Sequence, residues 1–161
     1  MLDQMPLPAI AGAAALVLAV WVAYTYNFLI HARAKVREGF SGVDVQLKLR
    51  HDLVPNLCEA VRGYADHENE VLRLAAARRS QAIAAKRPQD VELAENALAE
   101  ELSKLVALAE LNPQLKASDQ YLKLSDQLTV TEDEIQAARA LYNANVEFYN
   151  TRAQRIPTSL V

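Results

Sequence analysis

Apolar residues are arranged along this chain in two different ways. From Met5 to Ile30 they run together with no charged residue between them. Beyond Ile30 they recur at steps of three and four, and polar or charged residues fill the positions between. The first pattern suits a helix surrounded by hydrocarbon, since about 20 apolar residues cross ~30 Å of bilayer core. The second is the stripe of an amphipathic helix that buries one side. The spacing predicts a transmembrane anchor over residues 1–31, an amphipathic helical body over 32–155 and a short tail over 156–161.

Within the body, the first stripe reads Val36, Phe40, Val43, Leu47, then Val54, Leu57, Val61, Tyr64, then Val71 and Ala75. It keeps its phase across Pro55. A helix kinked or briefly broken there is expected, with Asp52 capping a restarted turn. Pro88 ends this helix around Lys86 to Gln89. A second helix is expected from Asp90, as N-cap, to about Leu111, with Val91, Leu98, Leu102, Leu105 and Leu108 in phase. Asn112-Pro113 closes it, because a residue before proline avoids the helical region. A third helix runs from about Ser118 to Gln154, carrying Tyr121, Leu128, Ile135, Tyr142, Val146 and Tyr149. Its weak point is Thr129 to Thr131, where β-branched residues meet a capping-box pattern from Thr131 to Glu134. Long helices joined by short connections pack as antiparallel neighbours. The chain therefore reads as all-α, a transmembrane helix followed by an antiparallel up-and-down helical bundle.

Charge sets an orientation. Only Asp3 precedes the apolar run, whereas His31, Arg33, Lys35 and Arg37 follow it at once. The side rich in Lys and Arg stays cytoplasmic, which places the N-terminus outside and the body inside. Trp21, Tyr24 and Tyr26 lie at the basic end, where amphipathic rings favour the headgroup level. A cleaved signal peptide needs a basic leading region and a shorter apolar core, and neither is present. The formal net charge of −3 offers no general affinity for nucleic acid, and the basic cluster is suited to anionic lipid. Cys58 is the only cysteine, so no intrachain disulfide forms.

No catalytic constellation emerges. His67-Glu68 begins like a zinc-protease helix, but the position four residues after His67 is Val71 and not a second histidine. His51, Asp52 and His67 form a looser metal-binding set, against which a polar helix face is the simpler reading. Cys58 follows Leu57 in the stripe and reads as packed. Gly12, Gly39, Gly42 and Gly63 are spread singly, with no phosphate loop. No catalytic residue, metal or cofactor is expected. Gly39 and Gly42 flank Phe40, and each costs ~1 kcal/mol against Ala inside a helix, so close helix approach or a bend is implied. With Gly12 among the small residues that open the span, they are the expected oligomer-packing positions. The candidate interaction residues are Asp44, Gln46, Arg50, His51, Asp52 and Asn56, with Tyr142 and Asn143. Two readings stay open for them: an interhelical network reaching Tyr142, Asn143 and Asn145, or a surface that neighbouring subunits read.

Several stretches carry a resemblance. They are Tyr26-Asn27, then Arg33 and Val36, then Val43-Asp44-Val45-Gln46-Leu47-Lys48 and Arg50-His51-Asp52-Leu53-Val54-Pro55-Asn56-Leu57. Val61-Arg62-Gly63-Tyr64-Ala65, His67-Glu68 and Ala77-Arg78 follow, and late in the chain Ala138-Arg139, Tyr142-Asn143, Val146 and Tyr149-Asn150. Together they resemble the LemA family of bacterial proteins. The resemblance implies a single-span protein of the bacterial inner membrane with a cytoplasmic four-helix up-and-down bundle. It implies no established catalytic activity and no agreed biochemical role. Some relatives belong to magnetosome membranes, which suggests membrane organisation as a theme. The ending from Ile156 to Val161 looks like the start of the family's apolar C-terminal segment, of which only this beginning is present.

The expected function is that of a membrane-anchored, non-enzymatic scaffold that self-associates as a homo-oligomer. The alternative is a regulatory adaptor whose bundle binds a membrane-protein partner, such as an enzyme, or a small ligand.

Overall fold

The computed structural model of the chain describes residues 7–64 and 69–155. These form five helices: α1 (Leu7–Arg62), α2 (Asn69–Ala84), α3 (Pro88–Leu111), α4 (Pro113–Lys116) and α5 (Asp119–Gln154). No strand occurs among the described residues. The architecture is the all-α helical bundle that the stripes predict, with one long apolar N-terminal helix.

α1 starts inside the apolar run and continues unbroken into the amphipathic region. Its most apolar window is long and apolar enough to cross a membrane, and only 6 % of that window is buried. Leu16, Val17, Leu18 and Val20 are each more than 60 % exposed. Such a helix is compatible with membrane anchoring.

The expected restart at Asp52 does not occur, because α1 passes through Pro55. The break falls later, at Gly63 and Tyr64, and separates α2 from α1. Proline removes one backbone donor, which costs a helix dearly only while the freed carbonyl lacks another partner. That carbonyl has one, described below. Tyr64 lies in the turn, where its N–H donates to the Val61 carbonyl (3.0 Å), and it is exposed rather than in the buried stripe.

α3 starts three residues before the position expected. Arg87 is its N-cap and Pro88 opens it, where no N–H is required. Asp90 sits in the first turn and accepts from Arg87 at 2.6 and 3.1 Å. α3 ends at Leu111 as expected. Asn112 then caps a short helix that the stripe did not predict: its side chain accepts from the N–H groups of Gln114 and Leu115. α4 thereby carries Leu115 into the core. α5 is continuous across Thr129 to Thr131. Both hydroxyls donate to carbonyls one turn back, on Ser125 (3.0 Å) and Gln127 (2.8 Å), so they satisfy themselves without breaking the helix.

The chain divides into two compact units. The unit Asp44–Ala137 holds the main core. Val54, Leu57 and Val61 of α1, Leu72 and Ala75 of α2, Leu98, Leu102 and Leu105 of α3, Leu115 of α4, and Tyr121 and Leu128 of α5 pack in one cluster. Fully burying a large aliphatic side chain contributes roughly 1.5–3 kcal/mol, so this cluster dominates the stability of the unit.

The other unit combines residues up to Val43 with Ala138–Val161. Its described part is a pair of helix segments, from α1 and α5. Phe28 packs on Phe148 with ring centroids 6.0 Å apart, and Phe40 meets Tyr142 edge-on at 5.8 Å. Two helix segments cover each other on one side only. Phe40, placed in the buried stripe by its spacing, is exposed for that reason, as are Leu141 and Phe148.

Candidate functional site

Within the unit Asp44–Ala137, the apolar stripe of every long helix is interrupted once. In α1 the gap lies between Leu47 and Val54, in α2 between Ala75 and Ala82, in α3 between Val91 and Leu98, and in α5 between Leu128 and Ile135. The inward positions inside these gaps belong to Arg50 and His51, to Arg78 and Arg79, to Glu95, and to Thr131 and Glu132.

These residues meet. The Arg50 side chain is 3 % exposed and the Glu95 side chain 1 %. Arg50 Nη2 donates to Glu95 Oε2, and its Nη1 donates to Glu132 Oε1 at 2.6 Å. His51 Nε2 lies 2.7 Å from the other Glu95 oxygen. A carboxylate only accepts, so Nε2 carries the hydrogen. Burial alone would raise the Glu95 carboxyl. The hydrogen bonds from His51 and Arg50, with their charges, outweigh it and hold Glu95 below its ordinary value. Arg50 Nε is buried without a hydrogen-bond partner.

Arg79 completes the layer through Pro55. A proline at position 55 cannot donate to the carbonyl four residues back, which is that of His51. Arg79 Nε of α2 donates to that same carbonyl at 2.6 Å. The residue that removes the bond from α1 therefore opens an acceptor for α2. Through Arg50, His51, Arg79, Glu95 and Glu132 the layer ties α1 to α2, α3 and α5. Both Glu95 oxygens are engaged, an arrangement suited to fixing helix register rather than to moving a proton.

The candidate interaction residues thus separate. Arg50 and His51 are internal, and their partners are Glu95 and Glu132. Asp44 and Asp52 line a cleft of about 280 Å³ beside His51 and Glu95, with Lys48 at its wall. Asp52 and Asn56 also line a groove of about 410 Å³ shared with Leu49 and Val130. Gln46 is half-buried. Tyr142 and Asn143 belong to the other unit, where Tyr142 packs on Phe40 and Asn143 is exposed. Asn145 there donates to the Lys35 carbonyl at 3.1 Å.

The glycines separate too. A Cβ on Gly39 would stand 3.2 Å from both the Tyr142 Cα and Asn145 Nδ2, so Gly39 serves close approach of α1 and α5 in one chain. A Cβ on Gly12 or Gly42 would meet nothing within 4 Å. His67 and Glu68 lie outside the described residues. Among those described, no three His, Cys, Asp or Glu side chains cluster as metal ligands.

Sequence reasoning placed Arg50 and His51 among the candidates but missed Arg79, Glu95 and Glu132. The signal was available. Each stripe skips a full two turns, and the gaps hold ionisable residues of both signs, basic in α1 and α2 and acidic in α3 and α5.

No curated protein matches the chain. The sequence model of the LemA family matches residues 39–161, which takes in the whole polar layer and all of α2 to α5. That match covers most of the chain, which belongs to the LemA family.

Proposed function

We propose that this protein is a non-enzymatic scaffold of the bacterial inner membrane, single-pass, with its N-terminus outside, its body cytoplasmic, and its copies assembled into a homo-oligomer. The observation that carries this reading is the exposure of apolar side chains along α1 and α5 in the unit that contains the N-terminus. From Ile10 to Val22 the large aliphatic residues of α1 are uncovered, and a bilayer supplies the missing cover. Beyond the basic cluster Phe40 and Leu141 remain exposed on a pair of helix segments, and Phe148 is exposed beside Phe28. Other copies of the same chain supply a matching apolar surface there, because exposed apolar surface on a helix pair drives association.

The anchor is tested by a reporter that is active only outside the cytoplasm, fused after Val161. The fusion stays silent on this reading, and activity contradicts it. Self-association is tested by Leu141→Cys in native membranes. Cross-linked chains are expected, and their absence at Leu141 and at Phe148→Cys contradicts the reading. A second reading, an adaptor that seats a partner helix, is favoured by the groove lined by Leu49, Asn56 and Val130, which offers both apolar surface and amide groups.

A further inference from the structure

α1 and α2 enclose a cleft of about 450 Å³ inside the unit Asp44–Ala137. Its floor is apolar, formed in part by Val54 and Leu72. Three arginines line it: Arg62 from α1, and Arg73 and Arg79 from α2. Ser80 adds a hydroxyl, and Glu59 is the one carboxylate among the described residues that line it. The protein as a whole is acidic, at −3, yet α2 carries Arg73, Arg78 and Arg79 against Glu70 alone. The local sign is opposite to the net charge, as an anion site requires.

The three guanidinium groups differ in how they are held. Arg79 is anchored through Nε to the His51 carbonyl, which leaves its two terminal nitrogens without a partner among the described residues. Among the described residues, Arg62 and Arg73 pair within their own helices, with Glu59 at 3.0 Å and Glu70 at 4.0 Å. Both pairs are widely exposed, and exposed pairs of this kind are weak. Each guanidinium is therefore free to exchange its carboxylate for an anion of higher charge. Arginine donors in a planar fork match the oxygens of carboxylate and phosphate bidentately, and of the two a phosphate carries the higher charge. The geometry points to a phosphate-binding cleft between α1 and α2, which takes a phosphate group borne by a small soluble molecule. Arg79 is the fixed donor, preset by the carbonyl that Pro55 leaves open. Arg62 and Arg73 close on the anion. Drawing Arg62 away from Glu59 favours a multiply charged phosphate over a single carboxylate.

The test uses the full-length protein in detergent micelles. Inorganic pyrophosphate is titrated by calorimetry at constant ionic strength into the wild type and into the double variant Arg62→Gln, Arg73→Gln. Both positions are exposed, so an unchanged melting curve for the variant establishes that its fold is intact. Binding of one pyrophosphate per chain, weakened at least tenfold in the variant, supports the proposal. No binding to the wild type, or equal binding to the variant, overturns it.

Discussion

The contact between Arg79 and the His51 carbonyl makes a quantitative demand on Pro55. In the native chain this carbonyl has no donor within α1, and the guanidinium takes it at 2.6 Å. Arg79→Met keeps most of the aliphatic stem and removes the donor. A buried acceptor stripped of a charged donor costs roughly 1.5–3 kcal/mol. For a chain of this size ~2 kcal/mol lowers the melting temperature by about 4–8 °C. In a Pro55→Ala background the new N–H at position 55 bonds the same carbonyl inside α1. Arg79→Met then costs less than about 1 kcal/mol, so the two substitutions couple by about 1–2 kcal/mol. Lost charge and stem packing of Arg79 are common to both backgrounds and cancel in the cycle. The assay is thermal or guanidinium unfolding of the four full-length proteins in one detergent, followed by far-UV circular dichroism. An Arg79→Met cost that is equal in both backgrounds, within ~0.5 kcal/mol, refutes the idea that Pro55 and Arg79 share one carbonyl.

Other outcomes follow from the same contacts. Glu95 is held below its ordinary value of 4.5, so it contributes stability at pH values above about 4.5 that is lost as the pH falls through its lower folded value; melting curves between pH 6 and 3 should show this loss, and it should be absent in Glu95→Gln, which is also less stable at neutral pH. Gly39→Leu forces α1 away from Tyr142 and lowers the melting temperature, whereas Gly12→Leu and Gly42→Leu, which meet open space and remove a helix-interior glycine, do not lower it. Leu57→Asp buries an unpaired charge at a position 2 % exposed, costs several kcal/mol and abolishes cooperative melting, while the exposed change Glu100→Gln is nearly silent.

The seams of this fold were legible in the sequence because burial follows helical spacing. Val54, Leu57, Val61, Leu98, Leu102, Leu105, Tyr121, Leu128 and Ile135 are all buried. Spacing alone could not see where a seam runs out of neighbours: Phe40 keeps the phase but lies in a unit whose described part is two helix segments. Helix ends depended on local chemistry that competes. Pro88 served as an opening residue and displaced Asp90 from the cap, and Asn112 started a new turn as it ended the old one. The polar layer was half visible. Arg50 and His51 stood out as ionisable residues in an apolar block, but their partners lie 28 to 82 positions away. Only the matched gaps in four stripes point to Arg79, Glu95 and Glu132, and pairing across helices has no local signature. Pro55 read as a break because the donor that compensates it, Arg79, belongs to another helix.

Self-association at the membrane is the central claim, and the mass of the particle extracted in native lipid tests it most directly. Extraction of the full-length protein with a membrane-solubilising polymer, followed by single-particle mass measurement, should yield one uniform species containing several copies of the chain and no other protein. A particle holding a single copy, in native lipid and in mild detergent alike, would contradict the scaffold.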